Sequence, residues 1–543
     1  GLSVPRGSAL VAEAARGQGT HCEFRTAHAM TLWPLELVSV RYAAVAPDLP
    51  PARVPQAGPV KGVLRLRLRL GGGLDWSQLP MDRLALHVAA SDDVAFRLHE
   101  LLGGAVAGTW VQPVPGAVPD AQAPDAATAW SGPGSVEPRG FDEDEALLPA
   151  TSRGFSGHRL LQEVAVLPQR LLFVDLTDLR RRLARVSGAE AELLVLFSRG
   201  DPALETLVDG GSLALFCTPA VNLFPKRLDR VPLEPGAWEH HVVPDRTRPM
   251  DLEVHQLLQV TGHGAGGRDA QREFLPLYAW HHGVEAGAGG GAAGGAAPGA
   301  AAADAAYYTL RRTPRVMSAR QRQQGPRSAY LGEEVWISLV DGRHGAWQEE
   351  LRQLSVQALV SNRDLPTLLP TAATGGGTWR LDAAGAVTRV ETLRGPTRPV
   401  SRRPVGEAGW SLVRQLSLHH LALASEDPVR GAAVLRDTLA LYAAPEDVAW
   451  ARQIEGIRGL ATRTVTGRLP FPGPLTFGTG LEMTLELDEL AYPGSSAYLF
   501  ASALERFLAR HAAINTFTRL RLRTLQRGEL RRWPARVGTQ ELL

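Results

Sequence analysis

Two stretches near the C-terminal end alternate charged and apolar residues with a period of two, and they constrain the fold more than any other feature. In "GLEMTLELDEL" (480–490) acidic residues fall on one side of an extended chain, and leucine or methionine falls on the other. In "TRLRLRTL" (518–525) arginine takes the place of the acid. Because successive side chains of a strand point to opposite faces, both stretches are predicted as strands with one charged and one apolar face.

The segment between these strands is predicted as a helix. "SSAYLFASALERFLARHAA" (495–513) carries apolar residues at helical spacing, with Ser495 as the expected N-cap. A strand, a helix and a second strand form a βαβ unit, whose right-handed crossover places both strands in one sheet. The acidic row then meets the arginine row, while both leucine rows pack under the helix. The residues of the two rows are Glu482, Glu486 and Asp488 on the first strand and Arg519, Arg521 and Arg523 on the second.

Carboxylates in a row also allow a second interpretation, a divalent metal site or an acid/base pair. Cross-strand pairs on an exposed face contribute about 0.2–1 kcal/mol each, which favours a register without requiring any catalysis. We therefore interpret the rows as sheet pairing. Beside this unit we predict Asn515, Phe517 and Trp533 as contact positions; the alternative is that Phe517 and Trp533 belong to the core.

Composition excludes several classes of protein. The chain has 543 residues, of which 44% are hydrophobic and 21% charged, as in globular proteins. A net charge of +2 provides no basic stripe, so nucleic acid is not an expected partner. No stretch is apolar enough for direct membrane insertion, and the first residues lack the pattern of a signal peptide. Cys22 and Cys217 are far apart in sequence, which predicts a cytosolic protein with buried thiols.

Alternating and buried-type strand patterns recur along most of the chain, which is too long for one core. The predicted fold class is α+β: a β-rich multidomain protein with mixed sheets and a more helical C-terminal third. The predicted divisions are an N-terminal β-rich domain at 1–190 with an irregular excursion at 103–140, a second β-rich segment at 191–282, a Gly/Ala linker or disordered loop at 283–306, a β-rich middle domain at 307–408 and a C-terminal α+β domain at 409–543.

Motifs of known chemistry are absent from the sequence. Neither lysine follows a glycine loop of the kind that cradles phosphates, and no GxSxG elbow occurs. "GHGAGG" (262–267) satisfies a dinucleotide pattern, but no long amphipathic helix follows it, so a tight turn is the better interpretation. Adjacent histidines on a strand point to opposite faces and cannot chelate one ion from one surface. We expect no enzyme, no cofactor and no metal.

Several longer segments resemble a known family. They are "CEFRTAHAMTLWPLEL" (22–37), "GFSGHRLLQEVAVLPQRLLFVDL" (154–176), "TPAVNLFPKRLD" (218–229), "HHVVPDRTRPMDLEVH" (240–255), "SNRDLPTLLP" (361–370), "WSLVRQLSLHHLAL" (410–423), the run from "GLEMTLELDEL" to "TFTRLRL", and "WPARVG" (533–538). In this order they resemble the TssF family, also called VasA or ImpG, of type VI secretion baseplate proteins. The resemblance covers nearly the whole chain.

This resemblance implies structural work rather than catalysis. TssF proteins resemble the wedge subunit of contractile phage tails: two copies join one TssG and trimers of TssK, and six wedges encircle the spike hub. Contacts with the sheath, TssE and the VgrG hub are expected to be indirect. The implied location is the cytoplasm, docked at the inner-membrane complex of a Gram-negative bacterium. No catalytic residue carries over from the family.

The sequence departs from the family pattern in three places. Family members usually carry a further, largely helical N-terminal segment, Ser361 stands where the family often has Cys, and the Gly/Ala stretch near residue 290 resembles an insertion. Two other functions stay open: a secreted or surface β-domain protein that binds glycans or a host surface, and an enzyme whose site is assembled from distant residues.

Overall fold

The structure is a computed structural model. It describes residues 1–13, 19–45, 58–114, 126–149, 156–264, 271–278, 306–317, 323, 327–341, 351–370, 379–382, 385, 387–400, 425–442, 447–470 and 476–539. Residues 283–305 of the predicted Gly/Ala linker lie outside these ranges, as do the end of "GHGAGG", the adjacent histidines His281 and His282, and the segment 410–423, which contains the pair His419 and His420.

Strands dominate the described chain. They are β1 Leu2–Val4, β2 Ala9–Ala12, β3 Cys22–Thr26, β4 Met30–Leu32, β5 Leu35–Ala43, β6 Gly62–Leu70, β7 Leu84–Val88, β8 Val106–Pro113, β9 Trp130–Ser131, β10 Val136–Pro138, β11 Phe173–Leu176, β12 Glu190–Phe197, β13 Leu213–Leu215, β14 Ala220–Val221, β15 Phe224–Arg227, β16 Val231–Pro232, β17 His240–Val242, β18 Glu253–Gly264, β19 Gln271–Pro276, β20 Ala306–Pro314, β21 Glu333–Asp341, β22 Leu351–Ser361, β23 Trp379–Asp382, β24 Ile457–Arg468, β25 Phe477–Leu487, β26 Phe517–Thr524, β27 Gly528–Arg532 and β28 Arg536–Val537. The helices are α1 Asp92–Gly104, α2 Ala126–Ala129, α3 Ser156–Val166, α4 Arg180–Leu183, α5 Leu204–Leu207, α6 Pro428–Ala440, α7 Val448–Glu455 and α8 Ala497–His511.

Two antiparallel sheets and helix α1 build the N-terminal part. One sheet has the strand order β10-β11-β7-β13 and the other β5-β6-β12-β8-β9. On β6 the arginines Arg65, Arg67 and Arg69 alternate with leucines, and they pair with glutamates of the neighbouring strand β12. Arg65 lies 3.1 Å from Glu192, and the Nε of Arg67 donates to Glu190 at 2.6 Å. Opposite-sign rows on adjacent strands are therefore used here as well.

The prediction of an irregular excursion at 103–140 is wrong for residues 106–113. This segment forms β8, an inner strand of the five-stranded sheet that pairs with β12. Nearly every residue of β8 is buried, including Trp110 and Val111 on opposite faces. A strand that is buried on both sides has no polar face, so it shows no alternation that a sequence reading could detect.

The middle of the chain forms one eight-stranded sheet with its own core. The path is β15-β22-β18-β19-β20-β21-β17, and β16 adds to β22. β19 and β20 pair in parallel, and they flank the Gly/Ala segment in sequence. Strands before and after that segment therefore share a sheet. Sheets cross two of the predicted domain limits: the limit at the Gly/Ala segment, which lies between β19 and β20, and the limit at 190/191, which lies within β12. The domain limits themselves stay a prediction.

A smaller sheet with the order β14-β3-β2-β23 lies beside the eight-stranded one. Its core includes Cys22, Phe24 and Leu365. Cys22 is buried and Cys217 is half-buried, and both are free thiols. Burial raises the pKa of the Cys217 thiol to about 11, so this thiol is poorly reactive at neutral pH.

The C-terminal part has a five-stranded sheet with the path β24-β25-β26-β27, and β28 pairs with β26. Helix α6 begins after Asp427, whose side chain accepts a hydrogen bond from the amide of Val429. Helix α8 begins one residue later than predicted: its N-cap is Ser496, which accepts from the amide of Leu499, and not Ser495. Ser496 is the N-cap because its hydroxyl lies within hydrogen-bond distance of the third amide of the helix.

Helix α8 is buried along most of its length between the C-terminal sheet and helix α3 of the N-terminal part. One continuous core contains residues from Val40 to Leu213 together with residues from Ala432 to Trp533. The two ends of the chain thus fold around a common interior. The predicted class, a β-rich α+β fold with mixed sheets, is confirmed.

Candidate interface at the C-terminal sheet

The two charged rows lie side by side in one sheet, as predicted. β25 and β26 pair in parallel, with Glu482 opposite Arg519, Thr484 opposite Arg521 and Glu486 opposite Arg523. Helix α8 connects them and covers the opposite face, where Leu485 and Leu522 are buried. The charged rows therefore occupy the outer face of the sheet.

Glu482 forms ion pairs with three arginines rather than with one. Its carboxylate lies 2.5 Å from Nη2 of Arg521, 2.9 Å from Nη2 of Arg463 and 3.6 Å from Nη2 of Arg532. The partner directly opposite in register, Arg519, is not among them, because a long arginine reaches the diagonal position as easily. Burial alone would raise the pKa of Glu482, but the hydrogen bond from Arg463 and the neighbouring guanidinium charges hold that pKa below its usual range.

The other half of the face is arranged differently. Arg523 stands in register between Glu486 on β25 and Glu529 on β27. Within the described part of the chain, neither Glu486 nor Arg523 forms an ion pair within 4.0 Å. The guanidinium carbon of Arg519 lies 5.9 Å from the ring centre of Phe517. Direct pairing of the rows is thus seen at Glu482 and not at Glu486.

The prediction that Asp488 belongs to the acidic row is wrong. β25 ends at Leu487, and Asp488 caps a short 3₁₀ turn by accepting a hydrogen bond from the amide of Leu490. Nη2 of Arg458 donates to the same carboxylate at 2.8 Å and, with Gln526, lowers its pKa. An aspartate just after an apolar strand competes for the backbone amides of the next turn, which explains its position.

The structure places two of the three predicted contact positions in the interior. Phe517 is fully buried, and a Cβ atom at Gly480 would lie 2.4 Å from its ring, so the ring rests directly on glycine backbone. Trp533 stacks on Tyr498 with ring centres 5.8 Å apart. Asn515 is exposed, and its role as a contact position stays a prediction.

An ionic junction around the largely buried carboxylate of Glu100, which sequence reasoning missed, joins the C-terminal sheet to helix α1. Glu100 on α1 receives both ends of the Arg527 guanidinium, at 2.6 and 3.0 Å, and lies 3.2 Å from Arg199. Arg531 donates to the carbonyl of Gly104 at 3.1 Å. Arg527 and Arg531 are each 427 positions from their partners on α1, and no local pattern marks them. Two-point Arg–carboxylate pairs fix the angle between the elements they join.

The "SNRDLP" segment forms a second polar junction, between the eight-stranded sheet and its smaller neighbour. The backbone N–H of Asn362 donates to Oδ1 of Asn222, and Oδ1 of Asn362 accepts from Nδ2 of Asn222 and from the backbone N–H of Glu23. Arg363 has a φ of 55° and donates to the carbonyls of Met250 and Leu331. A non-glycine residue in this conformation is held there by its surroundings.

Asp364 completes the same junction. Arg327 donates two hydrogen bonds to its carboxylate, at 3.1 and 2.6 Å, and Ser328 donates a third at 2.6 Å. A cavity of about 170 Å³ beside it is lined by residues including Arg315, Tyr330 and Arg363. Arg315 pairs with Glu334 and Arg363 with Glu253, so the cavity carries no converging excess charge. Its polar groups bond to one another across the loops at this end of the eight-stranded sheet.

No cluster of three or more His, Cys, Asp or Glu side chains is placed to hold a metal ion in the part of the chain that the structure describes. No helix of the described residues has the length and apolar character needed to cross a membrane.

Comparison with known sequences decides the family. The sequence model described as "Type VI secretion system, TssF" matches residues 1–540.

The chain belongs to the TssF family.

This TssF chain is 43% identical over 545 residues to the type VI secretion system component TssF1 of Pseudomonas aeruginosa, covering 99% of this chain and 82% of that protein. Its fold matches a chain in the TssK-TssF-TssG baseplate subcomplex determined by cryo-electron microscopy, with a TM-score of 0.69, 24% identity and coverage of 99% and 88%. A chain in the baseplate complex from the type VI secretion system matches with a TM-score of 0.55, 22% identity and coverage of 100% and 83%. The suggested family resemblance is confirmed.

Two buried histidines, His28 and His99, and the half-buried His87 make the stability of this TssF chain depend on pH. Burial lowers the pKa of His87 and of His99 from 6.5 to about 4, and burial with the nearby charges of Arg139 and Arg170 lowers that of His28 to about 2. A histidine whose folded-state pKa is depressed contributes stability that is complete above about pH 6.5, its unfolded value, and is lost as the pH falls toward the folded value.

We therefore expect the free energy of unfolding to fall between pH 6.5 and 4 by about 1.4 kcal/mol per pH unit for each such histidine. Urea denaturation at a series of pH values measures the slope. His99→Leu removes one proton-binding group from the unfolded chain and should reduce the slope by about 1.4 kcal/mol per pH unit. An unchanged slope in this variant would contradict the assignment.

Proposed function

We propose that this chain is a structural subunit of the type VI secretion baseplate wedge. In this role it assembles with TssG, TssK and a second copy of itself around the spike hub and anchors the contractile sheath. One observation carries the proposal: a fold match over 99% of the chain to a subunit solved within the TssK-TssF-TssG subcomplex. Its 43% identity to a TssF1 component supports the same assignment.

The internal construction of the chain suits a mechanical role. The Glu100 junction fixes helix α1 to the C-terminal sheet, and the Asp364 junction fixes the segment after β22 to the segment before β21, each through charged two-point hydrogen bonds. Such contacts fix geometry more than they add stability, since taking the charges out of water offsets most of the attraction. A subunit that transmits force between partners needs fixed angles between its parts.

The further features of the proposed role follow from the family. We place the chain in the cytoplasm, docked at the inner-membrane complex, with indirect contacts to the sheath, TssE and the VgrG hub. The work proposed for it is structural and not catalytic. The polar clusters described above support this, because their carboxylates are engaged by arginines of the same chain.

Co-expression with TssG and TssK from the same organism tests the proposal. With an affinity tag on TssG, we expect this chain to co-purify at two copies per TssG, as counted by native mass spectrometry. A parallel expression without TssG controls for direct capture by TssK or by the resin. If TssG and TssK purify as a complex that lacks this chain, the proposed function is wrong.

A further inference from the structure

Positive charge is concentrated on one half of the outer face of the C-terminal sheet. Around Glu482 stand four arginines, Arg463, Arg519, Arg521 and Arg532, which leaves an excess of three positive charges. The other half is acidic on balance, because Arg523 stands between Glu486 and Glu529. The excess therefore belongs to a defined patch, which we call the Glu482 patch: Glu482 and these four arginines.

The neighbouring sequence does nothing to offset this charge. Residues 463–481, which include the ends of β24 and β25, contain two arginines and no aspartate or glutamate. Glu482 itself is 5% exposed, whereas Arg463 and Arg532 are 64% and 47% exposed. The acid thus lies beneath the guanidinium groups and the positive charge faces outward.

Glu482 also orders the arginines. Its oxygens hold one amino group of each of Arg463, Arg521 and Arg532 within 4.0 Å. A guanidinium has five N–H donors in a rigid fork, so most donors of Arg463 and Arg532 remain available for a second acceptor. Side chains held in place lose less entropy when they bind, which makes a built patch a better site than free arginines.

The chemistry of the patch favours a protein carboxylate over a nucleic acid. Arginine forks match carboxylates in two-point geometry. Binding of single-stranded nucleic acid also uses exposed aromatic rings for stacking, and the aromatic residue of this face, Phe517, is fully buried in the described structure. An isolated sheet face of this charge is complementary to an acidic segment.

We propose that the Glu482 patch binds an acidic segment of a partner subunit, with carboxylates of that segment engaging Arg463 and Arg532. This inference rests on the proposed function, since it assumes that partner subunits surround the chain. It adds the position of the contact and the chemistry of the partner's surface.

The double variant Arg463→Gln/Arg532→Gln tests the patch. Purified variant is titrated into a TssG–TssK complex at about 0.1 M ionic strength, where surface charges are only partly screened. We expect Kd to rise about tenfold or more, and the dependence of Kd on salt to become weaker. Arg463→Lys/Arg532→Lys, which keeps the charge, should recover part of the affinity.

The matched control is Arg468→Gln/Arg523→Gln, which removes two positive charges outside the patch and should leave Kd within about twofold. Melting temperatures show whether each variant is folded. Equal Kd values for both double variants, with the parent chain binding normally, would overturn the inference and leave the proposed function intact. Failure of the parent chain to bind would remove both.

Two further results would also overturn it. Binding that disappears after nuclease treatment would assign the patch to nucleic acid. A parent chain that forms dimers without partners, lost in Arg463→Gln/Arg532→Gln, would assign it to a second copy.

Discussion

Replacing Glu163 by alanine is expected to lower the free energy of unfolding by about 3–5 kcal/mol, because it leaves a buried guanidinium without its partner. Glu163 lies on α3 and its carboxylate is 2.9 Å from Nη1 of Arg170. The side chains are 2% and 1% exposed. Glu163 also accepts a hydrogen bond from the amide of Leu148, which would be left unpaired. Denaturation in guanidinium chloride at pH 7 measures the loss.

Glu137→Ala is the matched control. Glu137 lies 2.9 Å from Arg83, a similar distance, but both side chains are half exposed. Water and ions screen such a pair, so its removal should cost about 0–1 kcal/mol. Losses of the same size in the two variants would show that burial is not what makes the Glu163 pair important.

Replacing Phe517 by alanine is expected to lower the free energy of unfolding by about 3–5 kcal/mol, because it leaves a cavity in a closed interior. The ring is fully buried and lies on the backbone of Gly480, with Gly467 also beneath it. Neither glycine has a side chain that could move into the space. Thermal and chemical denaturation of the isolated chain give the measurement.

The control for Phe517 is the exposed Asn515, two residues earlier, where alanine should change stability by no more than about 0.5 kcal/mol. The pair separates a core role from a surface role within one short segment. If Phe517→Ala leaves the isolated chain as stable as its parent and weakens only binding to TssG and TssK, then Phe517 is a contact residue and its burial has been misread.

The part of this fold that can be read from sequence is the part where polarity alternates along the chain. The βαβ unit of β25, α8 and β26 was predictable because one face of each strand is charged and the helix between them carries apolar residues at helical spacing. The Asp427 cap of α6 was equally visible, since an aspartate followed by proline marks a helix start.

The features that could not be predicted have no reliable local signal in the sequence. β8 is buried on both faces and so has no period, and Asp488 continues the alternation of β25 in sequence although the strand has already ended. The Glu100–Arg527 contact joins residues 427 positions apart, and nothing local to either residue identifies its partner. The Glu482 cluster could be predicted only in part. The acidic row indicated that Glu482 pairs with an arginine of β26, but its pairing with the diagonal Arg521 depends on how far the side chains reach in three dimensions.

The common interior of the two chain ends has a consequence for biosynthesis. Helix α8, which fills the space beside α1 and α3, is made roughly four hundred residues after α1. At about 5–20 residues per second the ribosome needs roughly 20–80 s to supply it. Until α8 is made, the earlier part of this core exposes an apolar surface to solvent, which chaperones would have to shield.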